Sequence, residues 1–129
     1  MEDLKKTILI VEDEKDLLES YKELITMGGY NVVTASDGYE GLDYLSRNVG
    51  HVDLVLLDLM MPGVDGLEVL KAVQADKEKY GDMPIIVLTN MSSELVIKDA
   101  FDLGASSYFV KSDLDYEGLL RELNKYLGD

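Results

Sequence analysis

Apolar residues along this chain fall into two alternating patterns: short unbroken runs, and longer stretches with helical spacing. Residues 7–11, TILIV, form a β-branched run of strand length. Residues 14–28 then put Leu17, Leu18, Tyr21, Leu24 and Ile25 on one helical face, and Gly28 and Gly29 stop it. The pair of patterns recurs. NVVTA, 31–35, is a second strand, followed by a helix over 38–48 with Leu42 and Leu45 inward. Residues 53–58 form the third strand, with an unbroken apolar run from Leu54 to Leu57 before Asp58, as expected of a strand buried on both faces. Beyond Pro62-Gly63, a helix from Asp65 carries Leu67, Val69, Leu70 and Val73. Pro84 opens PIIVLT, ending at Thr89, and residues 93–103 place Leu95, Val96, Ile97, Ala100, Phe101 and Leu103 at amphipathic spacing before Gly104. SYFVK, 107–111, is the fifth strand. A helix over 114–127 closes the chain with Leu119, Leu120, Leu123 and Leu127, its first turns weakened by Gly118.

Five strand–helix units predict an α/β fold, a doubly wound parallel sheet covered by five helices and joined by right-handed crossovers. Nothing is left over for a second domain, so 1–129 reads as one unit with no effector domain after Asp129.

Composition narrows the function. A hydrophobic fraction of 47% in 129 residues supports a single core. No cysteine is present, which excludes disulfides, thiolate metal sites and thiol nucleophiles, and fits a reducing cytoplasm. The apolar run near the N-terminus is too short for a signal peptide, and no window approaches the ~18 apolar residues of a membrane span. With 26 acidic against 12 basic residues, the formal charge of −14 aids solubility and opposes direct nucleic-acid binding.

The polar residues at the strand ends carry the chemistry. The first strand ends in Glu12-Asp13, the third in Asp58, the fourth in Thr89-Asn90 and the fifth in Lys111, while Ser36-Asp37-Gly38 after the second reads as a helix cap. Ligands of open doubly wound sheets bind beyond the carboxyl ends of the strands, where the order reverses. Periodicity does not order the strands; in the order 2-1-3-4-5 the reversal would lie between strands one and three, which deliver Glu12, Asp13 and Asp58, with Thr89 and Lys111 on the neighbouring strands. Three carboxylates in one crevice repel unless protons or a cation join them. Oxygen ligands without His or Cys suit Mg²⁺. A metal, an ammonium and a hydroxyl around one carboxylate are what a transferring phosphoryl group needs, and the carboxylate can itself be the nucleophile.

Each residue also has a plainer reading. Glu12 and Asp13 suit a helix N-terminus, Asp58 a turn, Thr89 a cap and Lys111 a solvated strand end. His51 reads as a solvated or capping side chain, and Met60, Met61, Met83 and Met91 as packing. The coincidence of compatible groups at four strand ends favours the joint reading.

The segments ILIVEDE, LVLLDLMMPGVDGLEVL, PIIVLTN and LGASSYFVK, in this order and spacing, resemble the receiver domain of two-component response regulators, of the chemotaxis-regulator type, across residues 7 to 127. The resemblance implies a flavodoxin-like fold of strand order 2-1-3-4-5. It implies that Asp58 accepts a phosphoryl group from a histidine kinase or histidine phosphotransfer protein. Asp13 directly, Glu12 through water, Asp58 and the backbone carbonyl of Met60 would hold Mg²⁺ or Mn²⁺. Thr89 and Lys111 would bind the phosphoryl oxygens. Tyr108 would be the aromatic switch that turns inward with Thr89, signalling on the surface of helix 93–103, strand 107–111 and helix 114–127; its plainer reading is a half-buried aromatic on an edge strand. The protein would be a cytoplasmic signalling switch, not a metabolic enzyme, acting through an output protein as a monomer or phosphorylation-dependent dimer.

Some positions set this chain apart within the family pattern. Ser112 replaces the usual proline after Lys111, which allows a trans peptide. Asn90 replaces a small residue, and either crowds Asp58 or donates a hydrogen bond near it. Met60 and Met91, both apolar, border the path of attacking water, so slow self-dephosphorylation is expected. GASSY lacks the paired acids of the DNA-binding branch, which counts against that branch's salt-bridged dimer. Three rivals fit less well. An Asp-nucleophile phosphatase needs a second acid where Met60 stands. A flavin carrier needs a Ser/Thr/Gly loop where Glu12-Asp13-Glu14-Lys15 stands. A degenerate receiver, acting only as an interaction module, is disfavoured by five filled pocket positions.

Overall fold

A computed structural model describes residues 5–128. Five strands, β1 (Thr7–Val11), β2 (Asn31–Ala35), β3 (Leu54–Leu57), β4 (Ile85–Thr89) and β5 (Ser107–Val110), form one parallel sheet of order β2-β1-β3-β4-β5. The helices are α1 (Lys15–Met27), α2 (Gly38–Arg47), α3 (Gly66–Ala75), α4 (Lys77–Tyr80), α5 (Glu94–Asp102) and α6 (Tyr116–Leu127). Among the described residues no helix is long and apolar enough to cross a membrane.

Strand side chains alternate between the two faces of the sheet. Ile8, Ile10, Leu54, Leu56, Ile86 and Leu88 pack with Leu18, Tyr21 and Ile25 of α1 and Leu119 and Leu123 of α6. Leu9, Val11, Val55, Leu57, Ile85 and Val87 pack on the other face with Leu45, Val69, Leu70, Val73 and Ala100 from α2, α3 and α5. The three central strands are therefore covered on both sides, which is why they read as continuous apolar runs.

The sequence pattern predicts five helices; among the described residues the structure has six. The extra one, α4, is a single turn of Lys-Glu-Lys-Tyr capped by Asp76, whose side chain accepts from the Lys79 N–H. It has no apolar stripe, only Tyr80 half-buried against the core, so periodicity could not reveal it. The last helix begins at Tyr116 rather than 114. Lys111–Asp113 form a 3₁₀ turn first, Leu114 is extended, and the Asp115 carboxylate caps α6 at the Glu117 N–H.

A second correction concerns α5. Leu95 and Phe101 are 66% and 46% exposed instead of inward. Its buried side is the i, i+4, i+7 set Val96, Ala100 and Leu103, and at about 100° per residue Leu95 and Phe101 flank that set on opposite sides. His51 is exposed, as its plainer reading expects.

Candidate functional site

The sheet register assembles the site. Val11 pairs with Leu57, and the ladder continues past both strands: the Asp58 N–H donates to Val11 O at 3.0 Å and the Glu12 N–H to Ala35 O at 3.0 Å. Glu12 and Asp58 therefore leave adjacent strands at one level. Leu57 faces Val87, which puts Thr89 one residue beyond the level of Asp58, and Thr89 faces Val110, which delivers Lys111. Glu12, Asp13, Glu14, Asp58, Met60, Thr89, Asn90 and Lys111 line one cleft of about 350 Å³.

Its floor is buried and charged. Glu12, Asp58 and Thr89 are 2%, 4% and 0% exposed, whereas Asp13 is exposed. Carboxylate oxygens of Glu12, Asp13 and Asp58 lie within 4.8 Å of one another. Lys111 Nζ contacts Glu12 Oε1 at 2.7 Å and Asp58 Oδ2 at 3.3 Å, so its closer partner is Glu12. The Glu14 N–H donates to Glu12 Oε2 at 3.0 Å and the Met60 N–H to Asp58 Oδ1 at 3.2 Å. Burial raises the Glu12 pKa, opposed by the hydrogen bonds from Lys111 and the Glu14 N–H and assisted by the nearby Asp58 charge. Burial pulls the Lys111 pKa down, but the hydrogen bond to Glu12 and the Asp58 and Glu12 charges outweigh it and the net shift is upward.

Thr89 stands apart. Its Oγ1 is buried and has no hydrogen-bond partner, a costly condition for a hydroxyl in a folded interior. The capping role open to Thr89 is not observed: α5 is preceded by Ser93 and begins without a side-chain cap. Glu12 and Asp13 do not cap α1 either, since Glu14 holds that position. The donor set of three carboxylates with no nitrogen or sulfur fits a hard divalent cation, and the orphaned hydroxyl fits an oxygen-bearing group beside it.

The family model for the response regulator receiver domain matches residues 8–123. This chain is a response regulator receiver domain. It is 40% identical over 114 residues to the transcriptional regulatory protein CpxR of Escherichia coli K12, covering 88% of this chain and 46% of the relative. It is 43% identical over 104 residues to the transcriptional regulatory protein DltR of Streptococcus agalactiae serotype III, covering 81% of this chain and 44% of the relative. The receiver domain thus spans somewhat under half the length of these relatives. Among solved structures, chemotaxis protein CheY4 of Vibrio cholerae superposes with a TM-score of 0.84 at 29% identity, covering 95% and 98% of the two chains. The CheX-CheY-BeF3-Mg+2 complex of Borrelia burgdorferi gives 0.86 at 26% identity, covering 96% of this chain and 90% of that one. Receiver domains bind a divalent metal, and the acidic cluster of this one is placed to hold it.

The other residues singled out from the sequence lie around the cleft or on the neighbouring strand. The Tyr108 side chain is half-buried; its hydroxyl donates to Met91 O at 2.6 Å and its ring lies 6.4 Å from that of Phe101. Its pKa is raised by burial first and then by the Asp58 charge. Asn90 sits exposed at the rim, and the Asp58 carboxylate takes its hydrogen bonds from Met60 and Lys111 instead. The Lys111–Ser112 peptide is trans, which the sequence alone leaves open.

Sequence reasoning passed over Gly66, which lies within the quoted motif but was given no role. Its N–H donates to Leu59 O, and a Cβ there would fall 2.4 Å from Asp58 O and 2.6 Å from Leu59 Cα. The first turn of α3, locked by the Asp65–Glu68 capping box, is pressed onto the backbone that presents Asp58. The available signal was a glycine at the first position of a helix already capped by Asp65, where conformational freedom is not required and close approach is.

Proposed function

We propose that this receiver domain is a phosphoacceptor switch whose acceptor is Asp58. The observation that carries the reading is the buried, unpartnered hydroxyl of Thr89 in the cleft shared by Asp58 and Lys111. A phosphoryl group on Asp58 would bring the oxygen that Thr89 lacks. Its negative charge would also draw Lys111 from its nearer partner Glu12. In the transfer, a carboxylate oxygen of Asp58 forms a bond to phosphorus while the bond from phosphorus to the donor's imidazole nitrogen breaks. Glu12, Asp13, Asp58 and the Met60 carbonyl would hold Mg²⁺, or Mn²⁺ in its place, and the ion would supply positive charge against the phosphoryl oxygens. The structural neighbour from Borrelia burgdorferi, solved with BeF3 and Mg+2, supports this chemistry.

The donor is a histidine kinase or phosphotransfer protein, and the chain converts no metabolite beyond making and losing its own acyl phosphate. Thr89 moving toward the phosphoryl group would shift the β4–α5 loop, whose Met91 carbonyl holds Tyr108. The local charge change would thus be read on the α5–β5–α6 surface by an output protein. The relatives named as transcriptional regulators favour transcriptional output, although the −14 charge argues against this chain itself touching nucleic acid. The domain is placed in the cytoplasm, alongside its donor.

The test is intact-protein mass after incubation with acetyl phosphate, with and without Mg²⁺. One phosphoryl adduct that needs Mg²⁺ and disappears in Asp58→Asn is the expected result. An adduct that persists in Asp58→Asn removes the assignment. No adduct, together with no spectral response to beryllofluoride, would leave an interaction module that never phosphorylates.

A further inference from the structure

The lifetime of an acyl phosphate depends on whether water reaches the phosphorus, and at this site sulfur stands at the rim. Met60 is 60% exposed and lines the acidic cleft together with Asp58. It also lines an adjoining groove of about 430 Å³, which it shares with Met61, Pro62, Leu67 and Met91. Its backbone N–H donates to Asp58 Oδ1 at 3.2 Å, so its side chain starts beside the reacting carboxylate. The chain has six methionines and no cysteine, so oxidation at sulfur in this protein falls on thioethers alone.

We propose that Met60 is an oxidant-modifiable gate: its conversion to the sulfoxide shortens the life of the phosphoryl group on Asp58. The inference rests on the phosphoacceptor reading above. The oxidant is a hydroperoxide such as hydrogen peroxide. The sulfur lone pair attacks one peroxide oxygen, a sulfur–oxygen bond forms, the oxygen–oxygen bond breaks, and the second oxygen leaves as water with both protons. Sulfur loses two electrons and the peroxide gains them. The product exchanges an apolar, water-shedding thioether for a polar group with a strong acceptor oxygen. A water hydrogen-bonded to that oxygen is held at the mouth of the cleft, in front of Asp58.

Met27 supplies an internal control. It is 80% exposed but lies at the far end of α1, about 18 Å along the helix from its first residue beside the cleft.

The experiment uses the full 129-residue chain. Samples are treated with graded hydrogen peroxide, and oxidation at each methionine is located by peptide mass mapping. The same samples are phosphorylated with acetyl phosphate and Mg²⁺, the donor is removed, and loss of the adduct is followed by intact mass. Met60 and Met27 should oxidise together and ahead of buried Met61, and phosphoryl lifetime should fall several-fold in step with Met60 sulfoxide. Met60→Leu, whatever its own lifetime, should show the same value before and after peroxide, while Met27→Leu should keep the response. The gate is overturned if Met60 stays reduced while Met27 oxidises. It is equally overturned if the lifetime is unchanged or longer in oxidised protein, or if Met60→Leu keeps the response. Untreated protein that takes up no phosphoryl group overturns the phosphoacceptor reading and this inference with it; labelled protein with a peroxide-indifferent lifetime overturns the gate alone.

Discussion

Strands β3 and β5 are both four residues long, and each is followed at once by a residue of the cleft, but they are built differently. Every residue of β3 is buried, between two neighbouring strands and two helical layers. Every residue of β5 is half-buried at the sheet edge. Asp58 therefore projects from a fully buried strand, its backbone held by Val11 on one side and crowded by Gly66 on the other. Tyr108 lies on this edge strand and Lys111 just after it, and their contacts are hydrogen bonds and ion pairs that can exchange partners. A switch needs this division: an acceptor that does not move and a readout that does.

The most decisive way to break the comparison is at the rigid end. Asp58→Asn should abolish the phosphoryl adduct completely while the thermal melt stays cooperative. A mutant that unfolds instead would show that the charge, and not the packing of β3, holds the site. Next in size is Lys111→Ala. Removing the cation leaves Glu12 and Asp58 buried side by side, a loss of about 3–5 kcal/mol in metal-free buffer. Added Mg²⁺ should restore much of it, because the metal ligands remain; denaturant titration with and without Mg²⁺ would show this. If stability is unchanged without metal, Lys111 is not the structural counter-ion that its contacts with Glu12 and Asp58 describe.

Gly66→Ala tests the crowding itself. The added methyl overlaps the backbone of Asp58 and Leu59, so α3 must retreat, at about 1–3 kcal/mol. Phosphorylation from acetyl phosphate should slow by more than the stability loss explains. Normal kinetics would mean that the approach of α3 does not position the acceptor. The smallest effect is expected at the soft end. Tyr108→Phe removes one hydrogen bond to the Met91 carbonyl, worth about 1 kcal/mol or less. It should leave adduct formation intact while altering the response of the α5–β5–α6 amides to beryllofluoride in an NMR spectrum. An unaltered response would put the readout elsewhere.

The contrast between β3 and β5 was partly legible beforehand. LVLL before Asp58 has no polar position and reads directly as a strand covered on both faces; SYFV mixes a hydroxyl and aromatics and reads as an edge. Both depend on local side-chain character. The exposure of Leu95 and Phe101 was not legible, because a nine-residue helix rich in apolar residues has more than one plausible inward face, and the sheet chooses. The helix α4 was missed because one turn closed by an aspartate cap leaves no period to detect.

Local patterns determined which segments form strands and which form helices, and the spacing of acids, hydroxyl and lysine after successive strands identified the groups that share the cleft. Those properties follow from backbone hydrogen bonding and side-chain periodicity within a few residues. Only the tertiary structure decided that Lys111 pairs more closely with Glu12 than with Asp58, that Thr89 is buried without a partner, and that Gly66 must lack a side chain. The first two depend on segments tens of residues apart, and the third on how α3 folds back against the end of β3. Such arrangements are fixed by the parallel register of the sheet and the packing of helices on it, and nothing in a single stretch of chain encodes them alone.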